Sequence, residues 1–160
     1  MRLEEAQKLL AEFPVPLPCS CVACVNMCKR SCWPTPQEAA HLLDQGYAKR
    51  LMKDQWYRGG FLDEGEGDID LLCGAIPGHE GRNSPRRDYF DFGTDPRSKG
   101  CVLLQNNLCT IHHCKPIEGR LAIHNSPNRD QFQDVHEAVA ILWDTDEGRA
   151  IVARWEELVR

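Results

Sequence analysis

The stretch Cys19-Ser-Cys21-Val-Ala-Cys24-Val-Asn-Met-Cys28-Lys-Arg-Ser-Cys32 packs five cysteines into fourteen residues. Cys21 and Cys24 form a C-x2-C pair, the spacing by which two thiolates commonly reach one tetrahedral ion. Cys28 and Cys32 add C-x3-C steps. On a helix, positions 21, 24, 28 and 32 fall within an arc of about 80°. They would form one line of sulfurs about 16 Å long. A single zinc, with Zn–S bonds of about 2.3 Å, cannot collect ligands that far apart. A regular helix here therefore implies more than one metal position, or some cysteines left out of the shell. The plain alternative is a packed helix face of small apolar residues, which four thiols in one stripe make a poor reading. Cys19 follows Pro18 and lies off this face, so its ligand role is the less secure. The helix is expected to stop near Trp33-Pro34.

Working outward, Cys101, Cys109 and Cys114 lie in the C-terminal half and Cys73 stands alone between the groups. Nine cysteines are too many for an ordinary chain of this size, and an odd count leaves one unpaired by disulfides. The opening MRLEEAQKLL has acidic residues where an export signal needs a long apolar stretch, so a reducing, cytoplasmic setting and metal ligation are expected. Five plus three gives eight thiols, or two four-thiolate sites. Cys73 is left as a small buried hydrophobe in the apolar run Ile69 to Ile76.

Composition sets the outer bounds. The 160 residues are 42% hydrophobic and 27% charged, which is a globular protein with a real core. No apolar run is long enough to span a membrane. Nineteen Lys and Arg face 24 Asp and Glu, giving a formal charge of -5, which argues against broad nucleic-acid or anionic-membrane binding. A local basic patch is confined to Arg82, Arg86 and Arg87 beside Tyr89, Phe90 and Phe92, in a loop expected over 77–100.

The other elements follow from local signals. Leu3, Ala6, Leu10 and Phe13 mark an amphipathic helix over 1–13. Pro14-Val-Pro-Leu-Pro18 is extended and delivers the chain to the cysteine helix. Thr35-Pro-Gln-Glu38 is a capping box with proline at the first helical position, and Gly46 stops that helix. A short helix is expected over about 47–54, a Gly-rich acidic turn over 59–67, and a short strand or buried turn over 69–76. Cys101 to Leu104 and Leu108 to Ile111, joined by Gln105-Asn-Asn107, predict a β-hairpin carrying Cys101 and Cys109. Phe132 to Trp143 is helical, and Asp144 with Glu147 caps a last helix through Ile151, Trp155 and Leu158. The fold class is mostly α with a small β-hairpin, a single metal-stapled domain over 1–160.

One segment is familiar. Lys99-Gly-Cys101-Val-Leu-Leu-Gln-Asn-Asn-Leu-Cys109-Thr-Ile-His112-His-Cys-Lys-Pro116-Ile-Glu-Gly-Arg120 is similar to the pattern of the YkgJ-type cysteine-cluster (CxxCxxCC) family, described as zinc- or iron-chelating domains. The N-terminal cysteine run resembles that family's first cluster, so the likeness covers about 19–33 and 99–124. The resemblance implies a small metal-binding domain with paired clusters and, as ligands, Cys21, Cys24, Cys28, Cys101 and Cys109. The family usually has a cysteine just before the arginine. This chain has Gly119 there, and Cys114, five residues earlier, is the natural replacement.

Soft thiolates select zinc, copper(I) or iron–sulfur. Zinc ranks first and iron or [4Fe–4S] second, because the simple ferredoxin run C-x2-C-x2-C is missing. His112, His113 and His124 are substitute ligands or ordinary surface histidines. Two all-cysteine zinc centres would each add about -2. Lys29, Arg30, Lys99, Lys115 and Arg120 flank the cysteines and are either their counter-charges or solvated. Catalysis is the lesser reading. His136-Glu137 lacks the second histidine of H-E-x-x-H, since position 140 is Ala, and no other catalytic motif stands in the sequence. The leading expectation is a structural or metal-handling protein whose partner is a metal ion, with a protein partner open. In it Cys19, Cys21, Cys24, Cys28, Cys32, Cys101, Cys109 and Cys114 tie the N-terminal helix to the hairpin. An iron–sulfur protein and a nucleic-acid module are the alternatives.

Overall fold

The computed structural model describes residues 1–13, 15, 17–29, 31–56, 68–84, 100–121 and 131–160. In chain order it has α1 (Leu3–Leu10), α2 (Val22–Cys28), α3 (Pro36–Asp44), a 3-10 turn (Ala48–Arg50), β1 (Leu51–Trp56) and β2 (Ile69–Gly74). There follow β3 (Leu104–Gln105), β4 (Leu108–Cys109), a second 3-10 turn (His112–Cys114), α4 (Ile117–Leu121), α5 (Phe132–Trp143) and α6 (Asp146–Val159). The fold is mostly α with small antiparallel β elements, as the sequence predicts.

β1 and β2 pair antiparallel from Leu51 opposite Gly74 to Trp56 opposite Ile69. The far edge of β1 is covered by 81–84: Gly81 and Ser84 donate their N–H groups to Leu51 and Lys53, and Lys53 donates to Arg82. This covering occupies the Leu51–Lys53 part of that edge. α1 packs along α5, and α5 and α6 pack against β2. The core between them is one continuous cluster that includes Ala6, Leu42, Leu51, Leu71, Val135, Trp143 and Trp155.

α3 begins as its capping box dictates. Thr35 Oγ1 accepts from the Glu38 N–H at 3.2 Å, and Glu38 accepts from the Thr35 N–H at 2.9 Å. Gly46 follows it at φ +83°, the left-handed conformation that closes a helix C-terminus. The β3–β4 turn puts Asn106 and Asn107 at φ 51° and 62°, which suits a two-residue hairpin turn. Both strands are shorter than expected, and Cys101 lies outside them.

Four expectations are corrected. The cysteine helix ends at Cys28, not near Trp33. Trp33 is buried, and its N–H donates to Glu118 Oε2 at 2.9 Å, which a continued helix would not permit. The segment read as a helix over 47–54 is the 3-10 turn followed by β1, because pairing with β2 overrides the helix propensity of its Leu, Met, Lys and Gln. The cap of α6 is Thr145, whose Oγ1 accepts from the Gly148 N–H at 3.2 Å, one residue beyond Asp144. The short helix α4, over a segment read only as a break at Pro116, was not expected.

The acidic turn over 59–67 lies outside the described residues. So do Arg86, Arg87, Tyr89, Phe90, Phe92, Lys99, Arg30 and His124. No helix among the described residues is long and apolar enough to cross a membrane.

Candidate metal centre

The eight candidate cysteines fall into three places. Cys19, Cys21 and Cys24 bring their sulfurs within 4.8 Å of one another, a grouping that could hold a metal ion. Cys28, Cys32, Cys101 and Cys109 line a single cavity. Cys114 lies outside that lining, on the second 3-10 turn, with its sulfur 3.5 Å from His113 Nε2. The nine cysteines are thiols, not disulfides.

The trio arises from the way α2 begins. Cys21 precedes Val22, and its carbonyl accepts the N–H of Val25 at 3.0 Å, the first bond of the helix. Its sulfur takes the position of a capping side chain. The Cys24 N–H donating to it holds the Cys21 thiol below its usual range, against a smaller opposing effect of burial, and the Cys19 and Cys24 side chains add to the lowering. The C-x2-C spacing then carries Cys24 one turn along the helix, where it is buried. Cys19 reaches the same point from the extended chain before the helix. The sequence reading had made Cys19 the less secure ligand. It sits in the tightest group because the chain bends at Cys21 before the helix, so helical phase does not apply to Cys19.

The cavity is built by distant segments. The end of α2 and the link to α3 supply Cys28 and Cys32, and the root and second strand of the hairpin supply Cys101 and Cys109. Pro34, Leu42, Leu51, Leu103 and Ile111 complete an apolar wall. Lys115 is 3% exposed and donates from Nζ to Cys28 Sγ at 3.3 Å. Burial lowers the Lys115 pKa, but the facing Cys32, Cys28 and Cys109 sulfurs together raise it by more. Burial pushes Cys101 up to about 12 and Cys32 well above the usual thiol range. Cys109 and Cys114 are raised as well, chiefly by burial.

Two glycines make room for this cavity. A Cβ at Gly74 would meet Cys101 Sγ at 2.7 Å, and one at Gly119 would meet Lys115 Cε at 2.8 Å and Cys32 Sγ at 3.3 Å. The space beside Cys32 is taken by the Lys115 stem. Nothing in the sequence separates Lys115 from the other flanking cations, because only the fold turns its side chain inward. Arg120 instead pairs with Glu38 and donates to the Phe13 and Lys115 carbonyls at 2.8 Å each. Cys73 is fully buried in the core, as expected, and burial raises its pKa well above the ordinary value.

These differences set an order of reactivity, because the thiolate is the nucleophile. In metal-free protein treated with iodoacetamide at rising pH, Cys21 is alkylated first and at the lowest pH. Cys73 and Cys101 remain unmodified until the chain unfolds. Peptide mapping by mass spectrometry reads the order, and labelling of Cys101 as early as Cys21 would contradict it.

Comparison with protein-family models, with curated proteins and with solved structures finds no match.

Proposed function

We propose that this is a zinc-binding protein of the YkgJ-type cysteine-cluster kind, with Cys19, Cys21 and Cys24 as its mononuclear seat and metal handling as its role. The observation that carries the reading is the approach of three sulfurs to within 4.8 Å. Four ligands at about 2.3 Å around a tetrahedral ion stand about 3.8 Å from one another. Three thiols already this close need only small side-chain rotations to share one ion. The resemblance of the two cysteine segments to the YkgJ-type pattern supports the same reading.

The openness of the seat favours handling over a purely structural role. Cys21 is exposed and Cys19 half-buried. Among the described residues, no fourth His, Cys, Asp or Glu ligand atom joins the trio at that spacing. Structural zinc sites are closed by four protein ligands, whereas a site with three leaves a position for water or an incoming ligand. Such a position lets a chelator or an acceptor thiol attack the ion directly.

The test is zinc stoichiometry and affinity by competition with a chromogenic chelator. One tightly bound zinc is expected in the unaltered chain, abolished in Cys21→Ser/Cys24→Ser and retained in Cys73→Ser. Equal loss in Cys73→Ser, or retention in the double variant, would refute the assignment. Lower pH must weaken binding, because protons compete for the thiolates.

A further inference from the structure

We propose that Cys21 is an oxidation site for hydroperoxides and Cys24 its resolving thiol, so that a peroxide converts the zinc seat into a disulfide and discharges the ion. The proposal rests on the zinc reading of the same trio and adds the signal that would make the seat let go.

Three observations carry the inference. The first is proximity. The sulfurs of Cys19, Cys21 and Cys24 lie within 4.8 Å of one another, and all three are thiols. Cys21 and Cys24 stand across the opening turn of α2, where the Cys21 carbonyl accepts the Val25 N–H at 3.0 Å. Residues three apart on a helix are neighbours on one face. A disulfide holds its sulfurs at about 2.05 Å, so closing the bond draws this pair together by less than about 3 Å.

The second is access. Cys21 is exposed, Cys19 half-buried and Cys24 only 2% exposed. An oxidant arriving from solvent meets Cys21 first. Cys24 lies beneath it, shielded from the oxidant but within reach of the Cys21 sulfur. An accessible cysteine poised beside a second thiol is the arrangement that gives a reversible sulfenic acid and then a disulfide. Cys73 has neither feature, since it is fully buried and its thiol donates to the Met52 carbonyl at 3.9 Å.

The third is ligand count. Among the described residues, no fourth His, Cys, Asp or Glu ligand atom joins the trio. Joining Cys21 to Cys24 leaves Cys19 as the one thiolate of the seat. A single thiolate holds zinc far less tightly than three, and protons compete for it.

The chemistry closes with the peroxide as oxidant. The Cys21 thiolate attacks the terminal oxygen of the hydroperoxide. The O–O bond breaks, an S–O bond forms, and the other oxygen takes a proton and leaves as an alcohol, or as water from hydrogen peroxide. The sulfur has given up two electrons and is a sulfenic acid. The Cys24 thiolate then attacks that sulfur. The S–O bond breaks, the S–S bond forms, and hydroxide leaves as water with a second proton. As the ion departs, Cys19 takes up a third. A dithiol reductant reverses the change by becoming a disulfide itself, and zinc re-entry releases the protons.

The experiment titrates the full chain, loaded with one equivalent of zinc, with hydrogen peroxide. A chromogenic chelator too weak to strip the untreated chain reports released zinc, and alkylation with mass spectrometry maps the thiols. The expected result is one zinc released per peroxide consumed, with Cys21 and Cys24 protected from alkylation together and Cys19 alkylated. A dithiol reductant should return the zinc to the chain. Cys73→Ser should behave as the unaltered chain, and metal-free Cys19→Ser should still form the Cys21–Cys24 disulfide.

Zinc retained through the titration, or released while Cys21 is still alkylated, would overturn the proposal and leave the zinc seat standing. A disulfide between Cys19 and Cys21, or one confined to Cys28, Cys32, Cys101 and Cys109, would overturn it as well. A chain that takes up no zinc before any peroxide is added would refute the seat, and the proposal with it.

Discussion

Trp143→Ala is expected to lower the unfolding free energy of the metal-free protein by about 3–5 kcal/mol, the range for deleting a fully buried large aromatic. Trp143 is 0% exposed at the end of α5. Its Nε1 donates to the Pro34 carbonyl at 2.8 Å, fixing the chain just before α3. The turn into α6 is packed so closely on it that a Cβ at Gly148 would meet the Trp143 carbonyl oxygen at 2.4 Å. Removing the ring also takes away the donor of the Pro34 carbonyl, which places the loss toward the upper end. Urea unfolding with chelator present measures it, and a loss below about 1 kcal/mol would show that the site relaxes freely.

The second large effect is at Glu118, which is 3% exposed on α4. One carboxylate oxygen accepts the Trp33 N–H at 2.9 Å, and the other pairs with His136 Nδ1. The His136 ring stacks on Trp33 at 4.0 Å and meets the edge of Trp56 at 4.8 Å. Glu118→Ala would strand a buried N–H and leave the histidine without its carboxylate. Leaving a buried donor unsatisfied costs about 1–3 kcal/mol, and the loss of the His136 partner as well places this case near the upper figure, about 3 kcal/mol. Glu118→Gln should lose less, because its amide oxygen still accepts from Trp33. Equal losses in the two variants would mean that the charge, not the acceptor, carries the effect. Trp33 follows Cys32 directly, so the Ala variant should also loosen the cavity wall.

Much of the fold was legible where local chemistry decides the outcome. Thr35-Pro-Gln-Glu38 specified the start of α3 because both halves of the capping box lie within four residues. Phe132–Trp143 emerged with the expected bounds because its apolar spacing is helical and it is buried along one side. The hairpin was readable from Asn106-Asn107, which tolerates positive φ.

What was misread depends on distant partners. Nothing within Leu51–Trp56 announces a strand. Its partner begins thirteen residues after it ends, and the buried Asp54 accepts from the distant Ser84 Oγ at 2.6 Å. The cysteines divide the same way. Their number and their spacing were plain in the sequence, but a helical wheel aligned Cys21, Cys24, Cys28 and Cys32 on one face. The chain instead leaves the helix at Cys28 to bury Trp33 against Glu118. That departure gives Cys24 to the trio and Cys28 and Cys32 to the cavity. Lys115 was visible as a cation near cysteines, but its inward course became apparent only with Gly119 packed against its stem.

The central claim is that Cys19, Cys21 and Cys24 hold one ion together. X-ray absorption at the zinc edge, on the chain loaded with one equivalent, tests it most directly. The expected first shell holds at least three sulfurs at about 2.3 Å and is lost in Cys21→Ser/Cys24→Ser. A shell of nitrogen and oxygen alone at about 2.0–2.2 Å, or a sulfur shell that survives in the double variant, would contradict it.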